Sequence, residues 1–438
     1  MADPTPPGPA SAEALPPSAR VDPLTLFRHL TSVYGEAASL RTRVGRFHLV
    51  NEPSLAREVL TSEDFPRASL LKVALGEGSL SSEGETWRRR RRLIQPSFER
   101  RRVEHLGRSM VVEARRTAEA WAGGVERLDV ERAMMGLTLR VVVRALFSSS
   151  VEDHLERLSS ALTVVIAGLS ELTSALVGLP VAFGPARNRN FEAAMATVHA
   201  VVDELIAERR RLPPERWPDD LLGALLTGTE AGRPLTEAQL RDEVVTMLVA
   251  GHETTAAALT WAWARLGADP EVEAGWHAHL DATFAARLPE TGDFTQPSPT
   301  GALFAEVLRL HPPVWAIGRR VGRDRALGPW RVEEGATVFV CPFTLHRHAG
   351  WWPDPERFLP ERFAPGRPPP DRFAYLPFGR GPHMCAGHHF ATLEASIILA
   401  TLGRRYRLRP LGVDTPRPLP LVTLRVDGGL PMTVEERR

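Results

Sequence analysis

Apolar residues recur every three or four positions along most of the chain, from about residue 86 to 267 and again over 270–311. This spacing places them on one face of an α-helix, so it predicts a long succession of amphipathic helices. Turn-forming residues at Gly123, Pro180 and Pro213 divide the first block into shorter segments. The chain is therefore expected to be mainly helical.

Alternating patterns typical of strands are short and lie near the two ends of the chain. They occur at Ala38–Arg43, Arg46–Asn51, Trp330–Glu333, Thr337–Cys341 and Leu421–Val426. A short helix is predicted at Leu24–Tyr34, ahead of the first strand. The expected fold class is mainly α with small β-sheets.

The first twenty residues are rich in Pro, Ala and Ser and contain no apolar run. Such a segment buries too little apolar surface to fold, so we expect residues 1–20 to be a disordered tail and residues 21–438 to form a single domain. The longest apolar stretch, residues 161–183, is interrupted by Ser170, Glu171 and Pro180, which argues against a membrane-spanning helix. We expect a cytoplasmic monomer without a membrane anchor.

Composition narrows the classes of function. The chain has 438 residues, of which 43% are hydrophobic, so a large packed core is available. A formal net charge of only +1 gives no reason to expect a nucleic-acid partner. Cysteine occurs only at Cys341 and Cys385, which is too few for a disulfide framework and suits a reducing compartment.

Cys385 follows a turn-rich loop and precedes an apolar-periodic segment that predicts a helix. Gly379 and Gly381 allow a tight turn, and Gly387 removes a side chain where a flat ligand could press on the backbone. A thiol just before a helix start gains from the positive end of the helix dipole, which lowers its pKa. In isolation, however, a lone cysteine is most often a small buried apolar residue.

Trp87 and Arg91 are four residues apart, so on a helix they share one face. An indole N–H and a guanidinium that point the same way suit a carboxylate ligand. The run Arg88–Arg92 taken alone would more often be a solvated helix face.

A second apolar helix is interrupted by Gly251, Glu253 and Thr254. Glycine and threonine weaken a helix, and threonine can bond back to a carbonyl and loosen the turn. His252 and Glu253 could begin an H-E-x-x-H zinc motif, but Ala256 stands where the second histidine is required.

Glu306 and Arg309 are three apart on one helical face, and such a pair alone is usually a weak surface ion pair. The sequence Leu310-His-Pro-Pro-Val314 follows it, and Pro360-Glu-Arg362-Phe lies farther on.

Together these segments resemble the cytochrome P450 superfamily. The Cys385 loop matches F-x-x-G-x-[R/H]-x-C-x-G, with W-x-x-x-R, A-G-x-[E/D]-T, E-x-x-R and P-E-R-F elements before it in the family's order. The resemblance implies a triangular, mainly helical prism that encloses haem b, with Cys385 as the axial ligand of the iron. It assigns haem contacts to Trp87, Arg91, Ala250, Arg319, Phe378, Gly379, His383 and Gly387. Arg320 competes with its neighbour Arg319 for that role.

The resemblance also assigns roles on the central helix and in the core. Gly251, Glu253 and Thr254 would form the catalytic groove for dioxygen, with Thr254 hydrogen-bonding the oxygen and Glu253 relaying protons. Glu306, Arg309 and Arg362 would form a buried network that braces the core.

Members of this family are monooxygenases that use O2 and two externally supplied electrons. Because no flavin-type or ferredoxin-type segment follows the Cys385 loop, we expect electrons from NAD(P)H to arrive through a separate ferredoxin or flavodoxin and its reductase. The basic residues Arg88–Arg92 and Arg100–Arg102 would form the docking face.

The positions that align with the family's substrate pocket are mostly apolar and favour a bulky, uncharged, lipophilic substrate. They are Leu71, Leu75, Thr246, Val249, Val314, Trp315, Ile317 and Gly429. Terpenoids, carotenoids or fatty-acyl chains are expected, with a polyketide or macrolide as the alternative. A peroxide-driven peroxygenase, a peroxide isomerase or dehydratase and a non-catalytic binding module also compete. The Glu253–Thr254 pair argues against the first two, and Cys385 argues against the third.

Overall fold

The computed structural model describes residues 4–437 apart from 43–44, 68–70, 149–153, 177–184, 231, 286 and 413–414. Helices dominate this part of the chain, which confirms the predicted class. They are α1 (Pro23–Tyr34), α2 (Pro53–Thr61), α3 (Lys72–Leu75), α4 (Gly84–Ile94), α5 (Arg100–Ala120), α6 (Val130–Phe147), α7 (Leu155–Leu176), α8 (Pro185–Arg210), α9 (Leu221–Thr227), α10 (Glu237–Ala268), α11 (Pro270–Phe284), α12 (Pro299–Leu310), α13 (Pro342–Leu345) and α14 (His388–Arg405).

The strands form small sheets. They are β1 (Ala37–Thr42), β2 (Gly45–Val50), β3 (Val125–Asp129), β4 (Thr229–Glu230), β5 (Arg233–Pro234), β6 (Ile317–Arg320), β7 (Arg325–Leu327), β8 (Trp330–Val332), β9 (Thr337–Val340), β10 (Tyr406–Pro410), β11 (Pro418–Pro420), β12 (Leu424–Val426) and β13 (Pro431–Glu436). The largest sheet has the order β1-β2-β9-β6, in which only the β2–β9 pair is parallel. A second sheet has the order β10-β13-β3.

Helix α10 is the centre of the molecule. It is 32 residues long, starts in a capping box formed by Thr236 and Gln239, and buries residues around most of its circumference. A helix with apolar residues on every side is stable only inside a protein, and α10 packs against α6, α8, α12 and α14. The residues of α10 are therefore held between layers of helices.

The N-terminal segment differs from the expected disordered tail. Leu15 and Ala19 are buried in an apolar cluster with Phe27, and the backbone amide of Ser39 donates to the carbonyl of Pro7 at 2.7 Å. Residues 4–20 therefore pack against the four-stranded sheet. The expectation from composition differs from the structure because two apolar residues are enough to hold this segment when they pack on an apolar surface formed by the rest of the protein.

The predicted strands were partly right. The structure contains strands at four of the five predicted sites, and at Leu421–Val426 only Leu424–Val426 is extended while the preceding residues form a turn. Eight strands were missed, namely β3, β4, β5, β6, β7, β10, β11 and β13. Each is only two to six residues long, so the alternation of apolar and polar residues within it is too short to predict a strand.

Glu306 and Arg309 form a fully buried pair rather than a surface pair. The guanidinium donates from Nε and Nη2 to both carboxylate oxygens at 2.7 Å, and it also bonds the carbonyls of His346, Pro355 and Arg357. Arg362 Nε lies 3.4 Å from Glu306 Oε1. The predicted trio is therefore brought together, and it ties α12 to the segment that leads to the Cys385 loop.

Replacing Arg309 by Met should destabilise the protein by about 3–5 kcal/mol, because it leaves the Glu306 carboxylate buried without its partner. Chemical denaturation monitored by circular dichroism measures this loss. Arg323→Met is the matched control, since Arg323 pairs with Asp64 while its side chain is 72% exposed, and it should cost less than about 1 kcal/mol. Equal effects of the two substitutions would contradict a bracing role for the buried pair.

Candidate active site

The loop before Cys385 is shaped by its glycines. Gly379 and Gly381 have φ of 66° and 76°, in the left-handed region that favours glycine. A Cβ on Gly381 would also lie 2.3 Å from the carbonyl oxygen of Leu60. The amide of Cys385 donates to the carbonyl of Phe378 at 2.9 Å, which closes the loop. The turn predicted from the glycines is present, and it presents the thiol just ahead of α14.

The thiol of Cys385 has exposed surface, yet the protein around it desolvates it strongly enough to raise its pKa. An exposed atom that is surrounded by protein faces an interior opening rather than bulk water. The expected lowering of the pKa is not observed, because desolvation outweighs the Gly387 amide and the positive charge of Arg91. Cys341, by contrast, is fully buried, and burial raises its pKa to about 11.

Gly387 lies beside the thiol. A Cβ there would be 3.7 Å from the Phe98 ring and 4.0 Å from the Cys385 sulfur. Glycine therefore keeps open the space next to the sulfur, as the sequence predicted.

A cluster of basic side chains adjoins this opening. The ring of Trp87 lies 4.0 Å from that of His383, so α4 contacts the Cys385 loop as expected. Desolvation, followed by the charge of Arg67, lowers the pKa of His383 to about 4 and that of Arg319 to about 10. Desolvation also lowers the pKa of Arg91.

Arg67 belongs to this cluster and was not predicted from the sequence. It donates from Nε to Glu83 Oε1 at 2.6 Å, and its backbone bridges to Arg319. His383 Nε2 lies 3.6 Å from the other oxygen of Glu83. No sequence motif marks Arg67 or Glu83, because the contact arises only when the segment before α3 lies along β6.

The cluster carries more positive than negative charge. Glu83 is paired with Arg67, and within the described part of the chain neither Arg91 nor Arg319 has a carboxylate at ion-pair distance. Desolvated cations without a counter-ion are costly. These two guanidiniums therefore suit a ligand that brings its own carboxylates, and the two propionates of haem fit this requirement.

On α10, Ala250, Gly251 and Thr254 are only half-buried, whereas their neighbours are buried. The Thr254 hydroxyl donates to the carbonyl of Ala250 at 2.8 Å. A Cβ on Gly251 would lie 3.0 Å from the Val142 side chain, so this glycine also allows the close approach of α6. The helix thus leaves a partly open groove where the sequence predicted one.

Glu253 is a buried acid on the same helix, 1% exposed. Its Oε1 accepts a hydrogen bond from the Thr423 hydroxyl at 2.7 Å. Desolvation raises the pKa of Glu253 to about 7, against the opposing effects of Thr423 and the positive charge of Arg425. The carboxyl group can therefore hold or release a proton near neutral pH. Thr423 was not predicted from the sequence, which offers no local signal for this contact.

The predicted substrate-pocket residues divide into two groups. Ile317 lies beside the Cys385 loop, since a Cβ on Gly379 would be 3.8 Å from its Cδ1. Leu71 is half-buried, Val314 is exposed, and Val249 is only 5% exposed. The side chains at these four positions are compatible with the apolar lining of a substrate pocket.

The other four predicted pocket residues are in close contact with other parts of the protein. Leu75 and Thr246 have at most 1% of their surface free. The Trp315 indole donates to the carbonyl of Leu421 at 2.8 Å and packs in the N-terminal apolar cluster. Gly429 lies against the Asp129 carboxylate.

The chain matches a family model described as Cytochrome P450 over residues 6–428. It is 33% identical over 413 residues to a protein from Streptomyces melanosporofaciens named cyclooctatin synthase, covering 92% of this chain and 89% of that protein. It is 35% identical to cyclooctat-9-en-7-ol 5-monooxygenase from the same organism, again covering 92% and 89%. A pentalenene oxygenase from Streptomyces avermitilis is 32% identical, covering 91% of this chain and 90% of that protein.

Solved structures show the same architecture. The heme domain of cytochrome P450DA has a TM-score of 0.88 at 23% identity, covering 100% of this chain and 99% of that one. A six-coordinated cytochrome P450 from Thermus thermophilus has a TM-score of 0.73 at 28% identity, covering 95% and 99%. Among the described residues, no helix is both long and apolar enough to cross a membrane.

Replacing Glu253 by Gln should stabilise the protein at pH 8. The pKa of this acid is about 7 in the folded protein and about 4.5 when unfolded, so folding takes up a proton between those values. Stability is therefore lost as the pH rises from about 4.5 to 7, by on the order of 3 kcal/mol. The gain from Gln should be present at pH 8 and absent near pH 4, as measured by denaturant titration. A gain that is independent of pH would contradict the raised pKa.

Proposed function

The chain belongs to the cytochrome P450 family and is a monooxygenase, and we propose that it hydroxylates a bulky, uncharged terpenoid. The observation that carries this substrate class is the similarity to cyclooctat-9-en-7-ol 5-monooxygenase and pentalenene oxygenase across nine-tenths of each chain. The apolar side chain of Ile317 beside the Cys385 loop supports it, because an apolar surface favours uncharged, lipophilic ligands.

The haem of this family fits the site described above. Cys385 would bind the iron, and Arg91, Arg319, Trp87 and His383 would hold the carboxylates. The haem, when bound, supplies the oxidative chemistry, and a thiolate ligand pushes electron density that favours O–O cleavage. The protein's own part is to orient the substrate and to supply protons.

Two residues of α10 would handle those protons. The half-buried Thr254 hydroxyl stands in the groove, and Glu253 behind it is an acid that exchanges its proton near pH 7. An acid–alcohol pair on adjacent residues suits delivery of protons from solvent to the groove. This pair supports a monooxygenase that uses O2 over one driven by peroxide.

Replacing Cys385 by Ser should abolish the red-shifted absorption band of the reduced carbon monoxide complex, because a hydroxyl does not donate electron density as a thiolate does. Circular dichroism should show that the variant is still folded. Cys341→Ala is the control, since Cys341 is fully buried in the N-terminal cluster, and it should keep the band. Retention of the band in Cys385→Ser would show that another residue binds the iron.

Cyclic terpene alcohols and hydrocarbons should shift the Soret band from low to high spin at concentrations at least about tenfold below those needed for fatty acids, since a carboxylate loses hydration in an apolar pocket. Ile317→Phe should weaken the terpenoid shift by filling the pocket beside the Cys385 loop. Val112→Phe, at an exposed position on α5, is the control. The tightest shift from a fatty acid or a macrolide would contradict the terpenoid class.

Electrons would arrive through a separate ferredoxin or flavodoxin that docks on the α4 side of the molecule. One correction to the predicted face is needed, because Arg90 is buried and pairs with Glu230 and Glu243 at 3.2 and 3.1 Å. Arg88 is half exposed and pairs with Glu63. Arg92 is 73% exposed, and its guanidinium lies 3.5 Å from Glu85, so it is the charge on this helix most available to a partner.

Arg100 and Arg102 extend the same face. Arg100 pairs with Glu104 at 3.2 Å, and Arg102 pairs with Asp219. Because these exposed pairs are weak, an acidic partner can replace their carboxylates. The proposed docking face therefore consists of Arg88, Arg92, Arg100 and Arg102, with exposed Arg101 between the last two.

Arg92→Glu should slow reduction of the protein by an acidic ferredoxin several-fold at low salt, and the effect should shrink above 0.1 M salt, where screening acts over about 10 Å. Stopped-flow reduction measures it, while the substrate-induced spin shift stays unchanged. Arg157→Glu on α7, at a site 47% exposed, is the control. Reduction rates that respond equally to both substitutions would refute docking at α4.

A further inference from the structure

The turn between β11 and β12 is held by three parts of the protein, which are α7, α10 and the segment after α12. Its three residues and Leu424, the first residue of β12, all form hydrogen bonds with these parts. The indole of Trp315 donates to the carbonyl of Leu421, the amide of Val422 donates to Ser170 on α7, the hydroxyl of Thr423 donates to Glu253 on α10, and the indole of Trp261 donates to the carbonyl of Leu424, at distances of 2.8, 3.1, 2.7 and 2.9 Å. The backbone on either side of Thr423 is therefore held by α7 and by the segment after α12 as well as by α10.

Thr423 determines where the Glu253 carboxyl points. Both side chains are buried, at 2% and 1% exposure, so no bulk water competes for their bond. The backbone of α10 sets only the start of the Glu253 side chain, which has three rotatable bonds. The hydroxyl fixes its far end, and the bond also favours the ionised form of the acid.

Arg425 follows Thr423 by two residues and faces the same acid. Its Nε lies 2.5 Å from Glu131 Oε1 on α6, and its charge acts on Glu253 as well as on Glu131 and Asp129. The side chain of Arg425 is 21% exposed, and Asp129 is exposed. The C-terminal segment thus holds a positive charge, fixed by its ion pair with Glu131, whose effect reaches Glu253.

Other polar and titratable groups also surround Glu253. His252 is fully desolvated, which lowers its pKa to about 4. The α7 contact of the turn, Ser170, is uncharged. Glu394 on α14 faces Thr255, one residue farther along α10, and burial raises its pKa well above the usual value. Glu131 opposes Arg425 by raising the pKa of Glu253.

We propose that Thr423 and Arg425 are positioning residues for the acid Glu253, Thr423 by orienting its carboxyl and Arg425 by setting its affinity for a proton. The proton that Glu253 releases toward the groove is regained from solvent water, so no other reactant is needed. The role in turnover rests on the proposed function, whereas the effect on the carboxyl does not.

Infrared spectroscopy of the resting protein between pH 5 and 9 tests the proposal, with the carboxyl band of Glu253 assigned by its loss in Glu253→Gln. Thr423→Val and Arg425→Gln should each move the titration upward by about one pH unit, because each removes an influence that favours the carboxylate. Thr423→Ser keeps the donor and should titrate like the unaltered protein. Arg417→Gln, at an exposed position before β11, is the control for a lost surface charge.

The same variants are then assayed for the fraction of consumed electrons that appears in product, as a function of pH. The alkaline limb of this profile should shift with the infrared titration in Thr423→Val and Arg425→Gln. If Thr423→Val is poorly folded, Thr423→Ala removes the same donor at lower steric cost.

Unchanged infrared titrations in Thr423→Val and Arg425→Gln, or an equal shift in Thr423→Ser, would overturn the positioning role. Shifted titrations with an unchanged coupling profile would instead remove Glu253 from the proton supply of the proposed function. The two failures are therefore distinguishable.

Discussion

The structure depends on the burial of α10. Because this helix is enclosed by other helices along most of its length, the polar groups near its middle are removed from bulk water. Thr254 bonds a carbonyl of its own helix, His252 bonds the carbonyl of Leu248, and Glu253 bonds Thr423. Between residues 243 and 264 of this helix, only Ala250, Gly251 and Thr254 are partly exposed, so the helices packed around α10 determine where its surface stays open.

The cost of removing a charged group from water also explains the basic cluster beside the Cys385 loop. The interior tolerates the Arg309 guanidinium because Glu306 and three carbonyls saturate it. Arg91 and Arg319 are desolvated without such compensation. One arginine therefore braces the fold, whereas the other two create a demand for an anionic ligand.

The turn between β11 and β12 connects several elements around the buried acid Glu253. It connects α7, α10 and the segment after α12 through hydrogen bonds of four consecutive residues. A turn held from several sides can place a hydroxyl more accurately than a free loop. It also couples the environment of an acid on the central helix to the packing of α7.

The sequence alone determined the helical class, the glycine-shaped loop at Cys385, the Trp87–Arg91 helix face and the interruption of α10. Each of these features depends on residues that lie close together in the chain, so their spacing and conformational preferences are enough to predict it. Only the tertiary structure decided that Arg90 is buried, that Arg67 and Glu83 join the basic cluster, that Trp315 packs against the N-terminal apolar cluster and that residues 4–20 pack against the four-stranded sheet. Thr423 and Glu253 stand 170 residues apart. Such contacts depend on how separate helices and strands pack, which the local sequence pattern does not predict.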